Sequence, residues 1–233
     1  MTRSKPKLTL KLIGGVGYSV IFFGGALFLG ARTFHWWRAW VFLGVVLVAA
    51  ATTMFGIFPS RPELLDERYK APLQKGQPLS DKVLTPLLVL SFLGLLVFIP
   101  LDVFRLRLLR ETGLGIATLG LVLFAGGWAL IALAMRENAY AAPIVKHQGE
   151  RGQVVVTSGP YRIVRHPMYA GAIPLMIGMA LWLGSYAGAL LAVVPIGTLA
   201  LRVLAEERLL SRELRGYEEY ARTVRWRLVP GVW

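Results

Sequence analysis

Six apolar runs, each set off from the next by a charged or Pro- and Gly-bearing segment, leave this chain few ways to fold. The first extends from about Leu12 to Ala31, the second from Val41 to Phe58, the third from Leu84 to Phe104 and the fourth from Gly113 to Met135. Each is close to the ~20 residues that carry a helix across the hydrocarbon core of a bilayer. A shorter run, Met168 to Leu183, turns at Gly184-Ser185 and returns through Tyr186 to about Leu204, with a helical continuation to about Arg215. Lipid offers no partner for backbone N–H and C=O groups, so segments of this kind cross as helices. The expected fold is all-α: a polytopic membrane helical bundle of about six apolar helices, four spans plus a C-terminal hairpin. No polar stretch is long enough to fold apart, so residues 1–233 form one membrane domain. Residues 1–135 supply the four N-terminal spans and 136–233 a cytoplasmic segment, the hairpin and the tail. The first run lacks a cleavage site and is expected to stay as a span.

The formal net charge of +13 would point to nucleic acid in a soluble protein. Here its distribution gives another reason. Of the 26 Lys and Arg, 21 fall before the first span, in 59–83, in 136–167 or from Arg202 onward. That bias follows the positive-inside rule, sets both termini in the cytoplasm and leaves no charge that needs a nucleic acid. There are no cysteines, and His35, His147 and His166 lack ligand spacing, so no metal site or disulfide is expected. The mixed charges of 59–83 show no catalytic spacing and are assigned to topology. Pro100 is expected to kink or loosen the end of the third span.

Chemistry concentrates in Gly159-Pro160-Tyr161-Arg162-Ile163-Val164-Arg165-His166-Pro167-Met168-Tyr169-Ala170-Gly171. Gly159-Pro160 reads as a turn, and Pro167 suits the first turn of a helix, where its missing N–H costs nothing. Just before it, Gln153-Val154-Val155-Val156-Thr157 is β-prone but too short and isolated for a sheet, and reads as an extended lead-in. At the other foot of the hairpin, Arg202 and Glu206 share a helix face at i, i+4, with Glu207 about 100° around. Taken singly, each has a plain structural role: an anchor tyrosine, a satisfied histidine, a surface ion pair. Together Gln153, Tyr161, His166, Tyr169, Arg202 and Glu206 enclose a polar pocket, because the feet of a hairpin are neighbours. The tail from Gly216 to Trp233, basic and aromatic, either lies on the membrane surface or covers that pocket.

The sequence from Thr157 to Gly171, followed by Arg202, Glu206-Glu207 and the tail from Gly216-Tyr217 to Pro230, resembles the isoprenylcysteine carboxyl methyltransferase family and the related membrane phospholipid N-methyltransferases. The resemblance implies S-adenosylmethionine as methyl donor, bound at the cytoplasmic face. It implies a cofactor pocket of Gln153, Val154, Val155, Val156, Tyr161, His166, Pro167, Met168, Tyr169 and Glu206. Arg202 matches the position that faces the substrate carboxylate. One family contact, a Gln upstream, falls on Lys146, with Gln148 nearby. The implied partner is a lipophilic acceptor, small or lipidated, that enters from the bilayer among the membrane lipids. A carboxylate acceptor needs no general base. An amine or hydroxyl would use one, with Glu207 or His166 as candidates. A nicotinamide-dependent sterol-reductase-like enzyme and a transporter are the rival classes. Transporters usually place ionisable groups at mid-membrane, whereas these cluster at one surface.

Overall fold

The structure, a computed structural model, describes residues 5–71, 74, 76–144 and 148–233. Arg3, Lys75, Lys146 and His147, which enter the reading above, lie outside the described residues. The helices are α1 (Lys5–Ala31), α2 (Trp37–Gly56), α3 (Pro62–Arg68), α4 (Leu79–Leu101), α5 (Leu114–Glu137), α6 (Pro167–Leu183), α7 (Tyr186–Leu191), α8 (Val193–Glu213) and α9 (Tyr217–Thr223). Five segments are long and apolar enough to cross a membrane: Pro6–Ala31, Trp37–Ser60, Leu79–Leu106, Leu114–Glu137 and Tyr186–Glu213, with Pro167–Leu183 a shorter apolar helix. The all-α membrane bundle expected from the apolar runs is the fold observed. Among the described residues there is no strand, only the isolated bridges Glu111–Ser185 and Val164–Trp226. Gln153–Thr157 forms neither helix nor strand, in keeping with its short length.

Proline sets several boundaries. Pro62 and Pro167 each occupy the first turn of a helix, where no backbone donor is lost. Pro100 does not stop α4. The chain continues into a π-helical turn over Asp102–Leu106, which ends when the Arg107 N–H returns to the Asp102 carbonyl at 2.7 Å. The return arm of the hairpin, read as one helix, is divided at Ala192 into α7 and α8. Pro195 follows three residues later and cannot donate to the Leu191 carbonyl, which removes a bond that would have joined the two. Gly184 closes α6 at φ +107, the left-handed conformation a helix end favours. Ser185 then caps α7, accepting from the Gly188 N–H at 2.7 Å and donating to buried Asp102 at 2.6 Å.

α5 and α6 form the closest helix pair. Gly120 and Gly127 on α5 face Gly178 and Gly171 on α6. A Cβ at Gly120 would fall 2.7 Å from Trp182 N, and one at Gly171 would fall 2.6 Å from the Gly127 carbonyl. Small residues let two backbones approach in lipid, where dispersion contacts and not water exclusion drive association. Around this pair, Phe42, Phe124, Leu96, Ile99, Met179 and Leu183 form the buried centre of the bundle. A second cluster, Leu12, Phe58, Leu64, Leu65, Met135 and Ala141, fixes short α3 to the feet of α1 and α5.

Candidate active site

The pocket is built from the end of α5, the extended segment, the start of α6, the outer half of α8 and α9. Asn138, just past α5, donates to the Tyr161 hydroxyl at 3.0 Å. Tyr161 sits in a 3-10 turn over Gly159–Arg162 and is buried. Burial pushes its phenol pKa above the ordinary value. Gln148 donates to the Tyr140 carbonyl at 2.8 Å, and its own N–H is accepted by the Gln153 side chain at 2.7 Å. These bonds stretch the chain from Gln153 onward along the pocket wall. The backbone N–H and C=O groups of Val154, Val155 and Val156 make no hydrogen bond among the described residues.

His166 lies between two carboxylates. Its Nε2 is 3.3 Å from Glu207 Oε1, its Nδ1 is 4.0 Å from Glu206 Oε2, and its ring stacks on Tyr169 at 5.7 Å. With Nε2 protonated toward Glu207, Nδ1 is left as the acceptor. Tyr169 donates to Glu206 at 2.7 Å. The Arg202 guanidinium stands 5.7 Å from the centre of the Tyr169 ring.

Arg202 does not take Glu206 as its salt-bridge partner, as the i, i+4 spacing suggested. Its Nε donates to Asp81 of α4 at 2.9 Å and its Nη2 to the Pro143 carbonyl at 2.6 Å. Asp81 is wholly buried and also accepts from Gln77 at 2.6 Å and Thr85 at 3.0 Å. Glu206 is drawn instead to Tyr169. Arg165 and Glu207 form a second buried pair at 2.7 Å, and Arg227 reaches the other Glu207 oxygen at 2.7 Å.

The tail takes the second of its two expected positions. The Arg165 and His166 N–H groups donate to the carbonyls of Trp226 and Arg227 at 2.9 and 3.0 Å. The Arg165 guanidinium donates to the Val224 and Arg225 carbonyls. α9 is thereby held over the pocket, with Tyr217 and Tyr220 in its wall and Tyr220 donating to the Tyr161 carbonyl at 2.8 Å. Burial raises the phenol pKa of both above the ordinary value.

The result is a cavity of about 280 Å³. Its wall brings together Gln153, Val154, Val155, Val156, Tyr161, His166, Met168, Tyr169, Arg202 and Glu206. Pro167 and Glu207 are not in the wall. Pro167 is buried as the first residue of α6, and Glu207 is turned toward Arg165, His166 and Arg227. The wall also contains Arg68, Asn138 and Tyr140, which the sequence reading did not single out, and Gln148, which it placed beside the family's upstream Gln position. Arg68, and Asp81 behind Arg202, come from the 59–83 segment assigned to topology, so that segment contributes directly to the site. Among the described residues no group of three metal-ligating side chains occurs.

Residues 116–215 match the family model described as phospholipid methyltransferase. By this match, residues 116–215 are similar to the membrane phospholipid methyltransferases. The matched segment covers α5 from Ile116 onward, the stretch that follows it and the whole hairpin. Arg68, Asp81 and α9 lie outside it. Methyltransferases of this family imply S-adenosylmethionine as donor. Comparison with curated proteins gives no match.

Proposed function

We propose that this protein transfers a methyl group from S-adenosylmethionine to a lipophilic acceptor at the cytoplasmic face of the membrane. The observation that carries this reading is the joining, in one cavity, of the residues between Gln153 and Tyr169 with Arg202 and Glu206. The lining suits such a donor. The unpaired backbone groups of Val154–Val156 offer alternating donors and acceptors to a heterocycle, and Glu206 offers a carboxylate to a cation. When bound, the donor supplies an electrophilic methyl on a sulfonium. Tyr217, Tyr220 and the strap from Val224 to Arg227 keep water from the site, which strengthens every charge interaction inside it. Glu207 acts at one remove, by holding His166 Nε2. The concentration of Lys and Arg in the segments on the site's side of the bundle supports a cytoplasmic orientation.

The acceptor's head would lie at Arg202 and Tyr169, where α6 and α8 meet at the edge of the bilayer. A carboxylate is one reading, since Arg202 Nη1 has no hydrogen-bond partner among the described residues and a carboxylate needs only orientation and desolvation. An amine is the second reading. Asp81 already balances the Arg202 charge, and His166 Nδ1 stands in the wall to receive a proton. Clustering of the charged groups at one end of the bundle counts against a transporter. Calorimetric titration with S-adenosylhomocysteine, beside the Glu206→Gln variant, tests the assignment. Binding by the wild type and at least tenfold loss in the variant is expected. Absence of binding in lipid nanodiscs, with NADPH binding in its place, would transfer the chain to the reductase class.

A further inference from the structure

Three guanidinium groups line the cavity, those of Arg68, Arg165 and Arg202. Two are balanced by a buried or nearly buried carboxylate: Arg165 by Glu207 at 2.7 Å and Arg202 by Asp81 at 2.9 Å. Arg68 is not. Among the described residues no carboxylate lies within ion-pair distance of it, and its one hydrogen bond runs from Nη1 to the Ala141 carbonyl at 3.0 Å. A guanidinium has five N–H donors in a fixed fork, so most of this one is uncommitted. Burial holds its pKa below the ordinary value, and no neighbouring negative charge counters the effect. A cation kept partly out of water without a partner weakens the fold that holds it. Such an arrangement gains its compensation when an anion occupies the cavity.

Arg68 is also fixed in place. It is the last residue of α3, whose Leu64 and Leu65 are buried against Leu12, Phe58, Met135 and Ala141. Tyr69, next in the chain, donates to the Lys11 carbonyl at 3.1 Å. α3 is outside the membrane-crossing segments, whereas Arg202 and Asp81 lie within two of them. The two uncommitted guanidinium faces therefore address different ligands. The one at the hairpin foot meets the amphiphile from the bilayer, and the one on α3 meets the solute from the aqueous side.

We propose that Arg68 is a cofactor-binding residue that holds the carboxylate of the methyl donor's amino-acid end. This rests on the methyl-transfer reading and adds to it an anchor outside the matched segment 116–215. Bidentate guanidinium–carboxylate pairing is among the stronger charge-assisted contacts available to a protein.

The test is a two-by-two titration: wild type and Arg68→Gln, each with S-adenosylhomocysteine and with its decarboxylated analogue. The wild type is expected to favour the carboxylate-bearing ligand about tenfold or more. Arg68→Gln should lose that preference, weakening S-adenosylhomocysteine about tenfold and leaving the analogue unchanged. The ligand-free variant should melt no lower than the wild type, because an uncompensated charge has been removed. Equal weakening of both ligands, or of neither, overturns the inference and leaves the cofactor reading standing. Absence of binding of either ligand to the wild type overturns both. If Arg68→Gln does not fold, Arg68→Lys keeps the charge without the fork. An unchanged preference in that variant overturns bidentate recognition, and a reduced one supports it. A further arm uses dihexanoylphosphatidic acid: its affinity should not move in Arg68→Gln, and a loss confined to it would reassign Arg68 to the acceptor's phosphate.

Discussion

Glu207→Gln separates a structural tie from chemistry. The Glu207 carboxylate is 13% exposed and receives Arg165 Nε and Arg227 Nε at 2.7 Å each, and His166 Nε2 at 3.3 Å. Removing one member of a buried ion pair costs about 3–5 kcal/mol. Two features lower that figure here. Arg165, 7% exposed, keeps its bonds to the Val224 and Arg225 carbonyls, and glutamine keeps one carbonyl acceptor. A net loss of about 2 kcal/mol is expected, or ~4–8 °C in melting temperature for a chain of this length. Arg227→Ala, which removes the more exposed bond, should cost under about 1 kcal/mol. The assay is thermal unfolding in detergent, paired with amide hydrogen exchange of residues 165–166 and 221–233. In Glu207→Gln the Arg165 and His166 amides, which donate to the Trp226 and Arg227 carbonyls, should lose protection together with the tail. A variant that melts like the wild type, with exchange of the tail unaltered, would show that the strap is held without Glu207.

Asp81→Asn leaves Arg202 buried without its counter-ion and should cost about 3–5 kcal/mol. In the folded fraction it should shift binding from dodecylamine toward dodecanoate, read by competition titration. Gly178→Ala places a methyl group against the Gly120 carbonyl and the Phe124 amide in the α5–α6 seam. It should cost at least about 1–3 kcal/mol by overpacking, read as a lower melting temperature in detergent. Tyr161, Tyr217 and Tyr220 have phenol pKa values raised by burial. Their contribution to stability is complete below the unfolded value near 10 and is lost as pH rises through the folded values. Phenolate absorbance should therefore show these three tyrosines titrating late, with the melting temperature falling above about pH 10.

The apolar runs were enough for the architecture because the bilayer imposes length and helicity on any segment that crosses it. Boundaries set by proline at Pro62 and Pro167 were legible for the same local reason. The division at Ala192 was not marked, although Pro195 is its signal. In the first span, Gly15 and Gly24 lie against Met54 and Leu43 of α2, whereas Gly14, Gly17 and Gly25 meet no neighbour within 4 Å. The seam lies at Gly120 and Gly127 against Gly171 and Gly178, and their matched spacing of seven residues was the available clue. In the site, the stretch from Gln153 to Tyr169 is close in sequence and so could be read directly. The Arg202 partner could not, because Asp81 is 121 positions away and spacing on one helix favours Glu206. Arg68 was obscured by the mixed charges around it. Only the fold reveals that Glu63, Asp66 and Glu67 turn to Arg151, Lys11 and Lys70 and leave it alone.

The glycine seam also bears on the bilayer itself. α6 has 17 residues and rises about 26 Å, while α5 has 24 and rises about 36 Å. The hydrocarbon core is about 30 Å thick. A helix shorter than the core is met by snorkelling of flanking side chains, by association or by thinning of the bilayer beside it. α6 also cannot slide along its longer neighbour, because its backbone is locked to α5 at two glycine pairs. The lipid must adjust instead, thinning beside α6 and drawing headgroups down toward His166 and Tyr169. On the methyl-transfer reading, a lipophilic acceptor would then present its head at the depth of the cavity without leaving the membrane. Chain length in the surrounding lipid becomes a control on how readily that presentation occurs, set by two helices that touch no acceptor.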